Sequence, residues 1–280
     1  MKKYVKFLLL ILCAFLVVGC AKDEKSDKKE ETKKSEKLAI EETVLYETED
    51  ANIVAKSIKT VKSVGYEIEL TIDNNTDKDL TYVLETFEIN GILVDNAALY
   101  SEISAGKSAN ESIYLSKADL EFAGIEKIKD IDFVISASDE NYDDVFVTDV
   151  MSLSTNVEDY DQKINKDGKE LVNQNGLTII TMEDGEDDFG LYVKVFLENT
   201  SDKDIIVSMD DVSVNGVMLD PYFYVELPAN SKTYTKISFD EDDLDENDIE
   251  ELEKIVFDLD SYDLEYDDFV NLKDLVIEIK

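Results

Sequence analysis

The 280-residue sequence contains no histidine, no tryptophan and no arginine; all 28 basic residues are lysine. Each gap excludes chemistry. Without imidazole there is no Ser-His-Asp triad, no Cys-His pair and no histidine metal ligand. Without guanidinium there is no planar fork to grip a phosphate or carboxylate through two bonds. Cysteine occurs only at Cys13 and Cys20, proline twice and glycine ten times, so neither a disulfide framework nor a low-complexity chain is expected. Acid is abundant: 66 Asp and Glu leave a net charge of -38. That balance argues against nucleic acid as a partner, because affinity there comes from cations that neutralise phosphates. It also disfavours direct docking of the body on anionic lipid. A hydrophobic share of 44% is still that of a folded chain.

The first twenty residues read MKKYVKFLLLILCAFLVVGC. Lys2, Lys3 and Lys6 form a positive start. Residues 7–18 are an apolar run of signal-peptide length, short for a permanent span. It closes on Val17-Val18-Gly19-Cys20, which resembles the lipobox of bacterial lipoproteins, with Val where Leu is commoner. The resemblance implies a signal peptide over 1–19, cleavage after Gly19 and diacylglycerol on Cys20. It also implies attachment to the extracytoplasmic face of the bacterial cell membrane through that lipid. An ordinary signal peptide and an uncleaved anchor are the alternatives. Cys13 would leave with the signal, so no disulfide could form within the mature chain.

Residues 20–43 read as a tether. From 21 to 43 there are 7 Lys and 8 acidic residues, a mixture that cannot bury enough surface to fold. A flexible chain of that length reaches roughly 25 Å. Beyond it, 18 Lys face 58 Asp and Glu, so the acidity belongs to the body.

The body repeats itself. A shift of 125 residues lays YEIELTIDNNTDKDL (66–80) on LYVKVFLENTSDKDI (191–205), and EINGILVD (88–95) on SVNGVMLD (213–220). After a one-residue deletion, a shift of 124 lays NYDDVF (141–146) on EYDDFV (265–270). Ordered matches of this kind imply two homologous domains, 44–157 and 164–280, joined by a linker at 158–163. Each reads as β. Tyr66, Ile68, Leu70 and Ile72 alternate with polar residues, as do Leu191, Val193, Val195 and Leu197. Asn90-Gly91 and Asn215-Gly216 predict type I′ hairpins. Residues 145–153 and 272–279 predict closing strands. A short helix is expected after Ser116, ended by Gly124, with its counterpart within 240–253. About seven strands per copy fit an all-β fold of two tandem immunoglobulin-like β-sandwiches, each expected to fold alone.

Lipobox, charged tether and repeated N-x-T/S-D-K-D and N-G patterns together resemble Gram-positive-type surface lipoproteins with tandem Ig-like repeats, a family of unknown function. The likeness spans nearly the whole chain and brings no catalytic residues with it.

Three site candidates stand beside structural explanations. The acidic stretches 141–146, 265–270 and 240–251 offer oxygen ligands for Ca²⁺, but none matches a calcium-loop pattern; loose cation association on a solvated surface is the plainer reading, and no cofactor is expected. Paired carboxylates can in principle hydrolyse glycosides, yet nothing marks a raised-pKa acid or a sugar-stacking tryptophan, so no enzyme is expected. Tyr222, Phe223 and Tyr224 stand, at a shift of 125, where the first copy has Ala97, Ala98 and Leu99; Tyr192 and Phe196 stand outward where it has Glu67 and Thr71. These aromatics either anchor an envelope or extracellular protein or fill space between the domains. The function expected is a non-enzymatic binding or spacing module. The alternatives are an accessory or substrate-capturing lipoprotein of a transporter or envelope machine, and a carboxylate-dependent extracellular hydrolase.

Overall fold

The computed structural model describes residues 37–279 except 63. The expected signal peptide, Gly19, Cys20 and most of the expected tether lie outside those residues. In the first half the strands are β1 (Thr43–Glu47), β2 (Ala51–Val61), β3 (Gly65–Asn74), β4 (Leu80–Ile89), β5 (Ile92–Leu93), β6 (Tyr100–Ile103) and β7 (Ser108–Ser116); helix α1 (Lys117–Phe122) and strands β8 (Asp130–Ser138), β9 (Asp144–Val147) and β10 (Met151–Ser154) follow. The second half has β11 (Lys169–Gln174), β12 (Leu177–Asp187), β13 (Gly190–Asn199), β14 (Ile205–Val214), β15 (Val217–Met218), β16 (Tyr224–Leu227) and β17 (Lys232–Asp240), then α2 (Glu241–Glu246), β18 (Lys254–Asp263) and β19 (Leu272–Glu278). The fold is all-β with two one-turn-scale helices.

The halves repeat each other almost to the residue. β3, β4 and β5 recur 125 positions later as β13, β14 and β15, while β6, β7 and α1 recur 124 positions later as β16, β17 and α2. The missing residue therefore falls in the loop after β5. This corrects the alignment of the tyrosine run. The bridge Ala98–Tyr114 in the first half matches Tyr222–Ser238 in the second. Tyr222 thus replaces Ala98, Phe223 replaces Leu99, and Tyr224 replaces Tyr100.

In the first half, the sheet β1-β2-β3-β7 and the sheet containing β10-β8-β4-β5 share a core. Ile53, Ile68, Leu70 and Ile72 come from one, and Leu80, Tyr82, Phe133 and Ile135 from the other. In the second half, β11-β12-β13-β17 and β15-β14-β18-β19 do the same around Val193, Val195, Leu197, Val207, Phe257 and Leu259. The expected Asn-Gly hairpins form: Asn90 and Gly91 have φ of 53° and 73°, Asn215 and Gly216 52° and 89°. Gly65 and Gly190 open β3 and β13 where the chain crosses β7 and β17; a Cβ would lie 2.0 Å from the Leu115 carbonyl oxygen and 2.2 Å from that of Phe239. The expected closing strand at 145–153 is broken into β9 and β10. Buried Thr148 turns inward between them: its hydroxyl accepts from the Ile135 amide and its amide donates to the Ile135 carbonyl.

The helices show one local mismatch. Ser116 caps α1, and its hydroxyl accepts from the Ala118 and Asp119 amides. Asp240 does the same for α2 by accepting from Asp242. Past α1 the left-handed position belongs to Gly124 at φ 67°, but past α2 it belongs to Asp248 at φ 56°. A side chain there is disfavoured. Asp248→Gly is expected to raise stability by about 0.5–1 kcal/mol, read as a higher urea midpoint at unchanged slope.

The two halves are physically joined. Leu93 of β5 and Thr233 of β17 form a parallel bridge, and the Thr233 hydroxyl donates to the Leu93 carbonyl at 3.1 Å. This fuses one sheet of each half into a ten-stranded sheet. Ile180, Phe196 and Tyr234 of the second half are buried in the first half's hydrophobic cluster. The linker is bonded to the first half, where Gln162 accepts from Asn90 and donates to the Gly124 carbonyl, and just beyond it the Tyr234 hydroxyl donates to the Asn165 carbonyl.

Candidate functional site

The repeated Asn-x-Thr/Ser-Asp-Lys-Asp loop has structural roles for nearly all its members. Asn74 and Asn199 are buried. Asn199 Nδ2 donates to the carbonyls of Lys203, Leu227 and Pro228, while its Oδ1 accepts from the Ser201 amide and hydroxyl. Asn74 repeats this with Lys78, Ile103 and Thr76. Asp79 and Asp204 accept from the amides of Ala105 and Ala229 across the next loop. Lys78 reaches Asp139 at 2.8 Å and Lys203 reaches Asp263 at 2.5 Å. The other oxygen of each aspartate accepts two amides of the hairpin that follows, from Asn141 and Asp143 or from Glu265 and Asp267. The loop is a clasp between the start of β4 or β14 and the end of the neighbouring strand, β8 or β18.

These contacts account for part of the acidity around NYDDVF and EYDDFV. Among the described residues no group of three or more acidic or thiol side chains is arranged to hold a metal ion. Asp139 and Asp263 are held below the usual carboxylate range, first by the lysine and then by the backbone amides; Asp258 is lowered likewise by Lys273 and the Asp274 amide. Their stabilisation is complete above the unfolded-state pKa and is lost as pH falls through the lowered values. Asp95 and Glu88 behave oppositely, because enclosure raises both, so the fold gains from protonating them as pH drops from neutral. Together these shifts predict a stability maximum on the acid side of neutral, with loss as the pH falls further. Thermal melts from pH 3 to 8 check this; a steady rise in Tm toward pH 8 would contradict it.

The aromatic candidates fall into two groups. Phe196 is fully buried, 5.1 Å from the Tyr234 ring. Tyr192 meets Phe122 of α1 edge-on at 6.4 Å. Lys194 and Lys236 place their ammonium groups 4.6 and 5.0 Å from the Phe122 ring centre. These residues pack the halves together. Beside them opens a recess of about 420 Å³, lined by Asp95, Asn96, Asp119, Phe122, Thr235 and Lys236 among others. Asp95 is reachable by solvent yet surrounded by protein, which raises its pKa; a hydrogen bond with Thr235 opposes the shift.

The predicted run Tyr222–Phe223–Tyr224 is split by strand alternation. Phe223 turns into the second core, whereas Tyr222 is 64% exposed and Tyr224 60% exposed. Tyr222 packs edge-on to Phe189 at 4.8 Å. Tyr224 lies close to Tyr262, whose ring stacks on Tyr266 at 5.6 Å. Residues 262 and 266 were not among the sequence candidates; the EYDDFV motif contained one of them, but its link to Tyr224 spans some forty residues and required the β16-β14-β18 pairing. On the same face Ile206, paired between Glu226 and Tyr262, is only 7% exposed.

One strand plan used twice and fused at an edge defines a duplicated all-β protein. No family model matches the sequence, and no curated protein matches it. Among solved structures, a protein of unknown function from Porphyromonas gingivalis W83 is similar over 86% of this chain and 96% of that chain, at 12% identity and a TM-score of 0.22.

Proposed function

We propose that this chain is a non-enzymatic binding or spacing module of the bacterial cell envelope, made of two immunoglobulin-like β-sandwich copies and held to the outer face of the cell membrane by lipid on Cys20. Gly19 would be the last residue of the cleaved signal. The observation that supports the reading best is the division of labour between the copies. What the two copies share, the clasps and Asn-Gly turns, is occupied in holding the fold. What differs lies on outer faces, where the second copy carries exposed Tyr222 in place of Ala98 and half-buried Tyr262 in place of Ser138. A module of this kind needs a firm frame, a tether and a face for a partner, and no catalytic group.

Cys20→Ser tests the anchor. Cells fed labelled fatty acid should incorporate label into the wild-type chain and none into the variant, and the variant should leave the membrane fraction. Label retained by the variant would overturn the anchor. Capture of a small solute, as an accessory lipoprotein of a transporter, is the second reading; the recess beside Asp95 and Phe122 favours it.

A further inference from the structure

We infer that the Tyr224–Tyr262–Tyr266 cluster is a docking face for a cationic protein segment, one that presents lysine or arginine side chains; this rests on the partner-binding reading above and specifies its chemistry. Tyr224 and Tyr266 are 60% and 81% exposed, and Tyr262 lies half-buried between them. Tyr262 and Tyr266 are held face to face by their stack, so they offer aromatic faces with little further ordering. Ile206 beneath them gives the patch an apolar floor.

The charge around the rings is predominantly acidic. Glu226 and Asp260 flank Tyr224 and Tyr262 on the outer face of β16 and β18, and Glu265 adjoins Tyr266. The two lysines nearby are already engaged, Lys203 with Asp263 and Lys273 with Asp258. An aromatic face ringed by carboxylates attracts an ammonium or guanidinium twice, through the ring quadrupole and through charge. The net charge of -38 would speed such a partner's approach and repel an acidic one.

The first half supplies an internal control on the same frame. Tyr100 and Tyr142 match Tyr224 and Tyr266, but Ser138 stands for Tyr262 and Thr81 for Ile206. There the Tyr100 hydroxyl is tied to Glu102 at 3.1 Å. That face has the outer tyrosines without the bridging ring or the apolar floor.

The test is calorimetric titration of the purified full-length chain with a ten-residue lysine peptide and its serine analogue. The lysine peptide should bind saturably and the serine peptide should not. Tyr224→Ala with Tyr266→Ala should weaken binding by about tenfold, the scale of losing two exposed cation–aromatic contacts. Tyr100→Ala with Tyr142→Ala should change it less than twofold. No binding, or equal losses from the two pairs, would overturn the proposal in favour of unspecific charge attraction. A photo-crosslinker at position 224 in living cells separates this from the broader reading. Crosslinks to an envelope protein together with tyrosine-independent peptide binding would retain the partner face and reject a cationic occupant; no crosslinks would reject the partner face itself.

Discussion

Asn199→Ala is expected to cost the fold about 3–4 kcal/mol, because it strips partners from several buried groups at once. The side chain is fully buried and satisfies three carbonyls, one amide and one hydroxyl. Alanine leaves a void that cannot hydrogen-bond, and the carbonyls of Leu227 and Pro228 lose a donor that they share. Asp is the informative second variant. It keeps the acceptor for Ser201 but removes the donor and buries a charge, so it should destabilise at least as much as alanine at neutral pH. Urea unfolding of both variants beside wild type measures the effect. A loss under 1 kcal/mol for alanine would show that the clasp is not a structural element.

Phe196→Ala is expected to cost about 3–5 kcal/mol, the range for deleting a fully buried aromatic ring. The informative part is where the loss appears. Phe196 belongs to a strand of the second half, yet its ring lies in the first half's cluster, against Tyr234 and beneath the ammonium of Lys166 at 5.1 Å. Wild type is expected to melt in one transition over both halves. Phe196→Ala should weaken the coupling, so hydrogen exchange ought to rise at Val94 on one side and at Val195 and Thr233 on the other. Protection lost only within β12, β13 and β17 would mean that the halves are energetically separate.

Much of the strand plan was legible because its grammar is local. Alternation in residues 66–72 and 191–197, the Asn-Gly pairs and the Ser116 cap each act within a few residues, and the structure places strands, hairpins and helix there. Asn175-Gly176 carried the same signal and turns β11 into β12 with φ of 53° and 93°. What eluded sequence reading is long-range. Lys78 finds Asp139 sixty-one residues away, and Leu93 meets Thr233 across 140. The deletion was misplaced by a step because Ala97, Ala98 and Leu99 offer no side-chain landmark; only the bridges at Ala98 and Tyr222 fix the register. The tyrosine cluster needed three segments brought together by β14.

The way Tyr192 and Lys194 meet Phe122 also bears on whether the same contact could be used by a further copy. A third unit added before the first would need an apolar outer face on β3, but Glu67, Glu69 and Thr71 stand there. A unit added after the second would need an aromatic receiver on α2, and the residue matching Phe122 is Glu246. Neither the outer face of β3 nor α2 therefore repeats the contact that joins the halves: the same strand plan presents a greasy face in one copy and a charged one in the other.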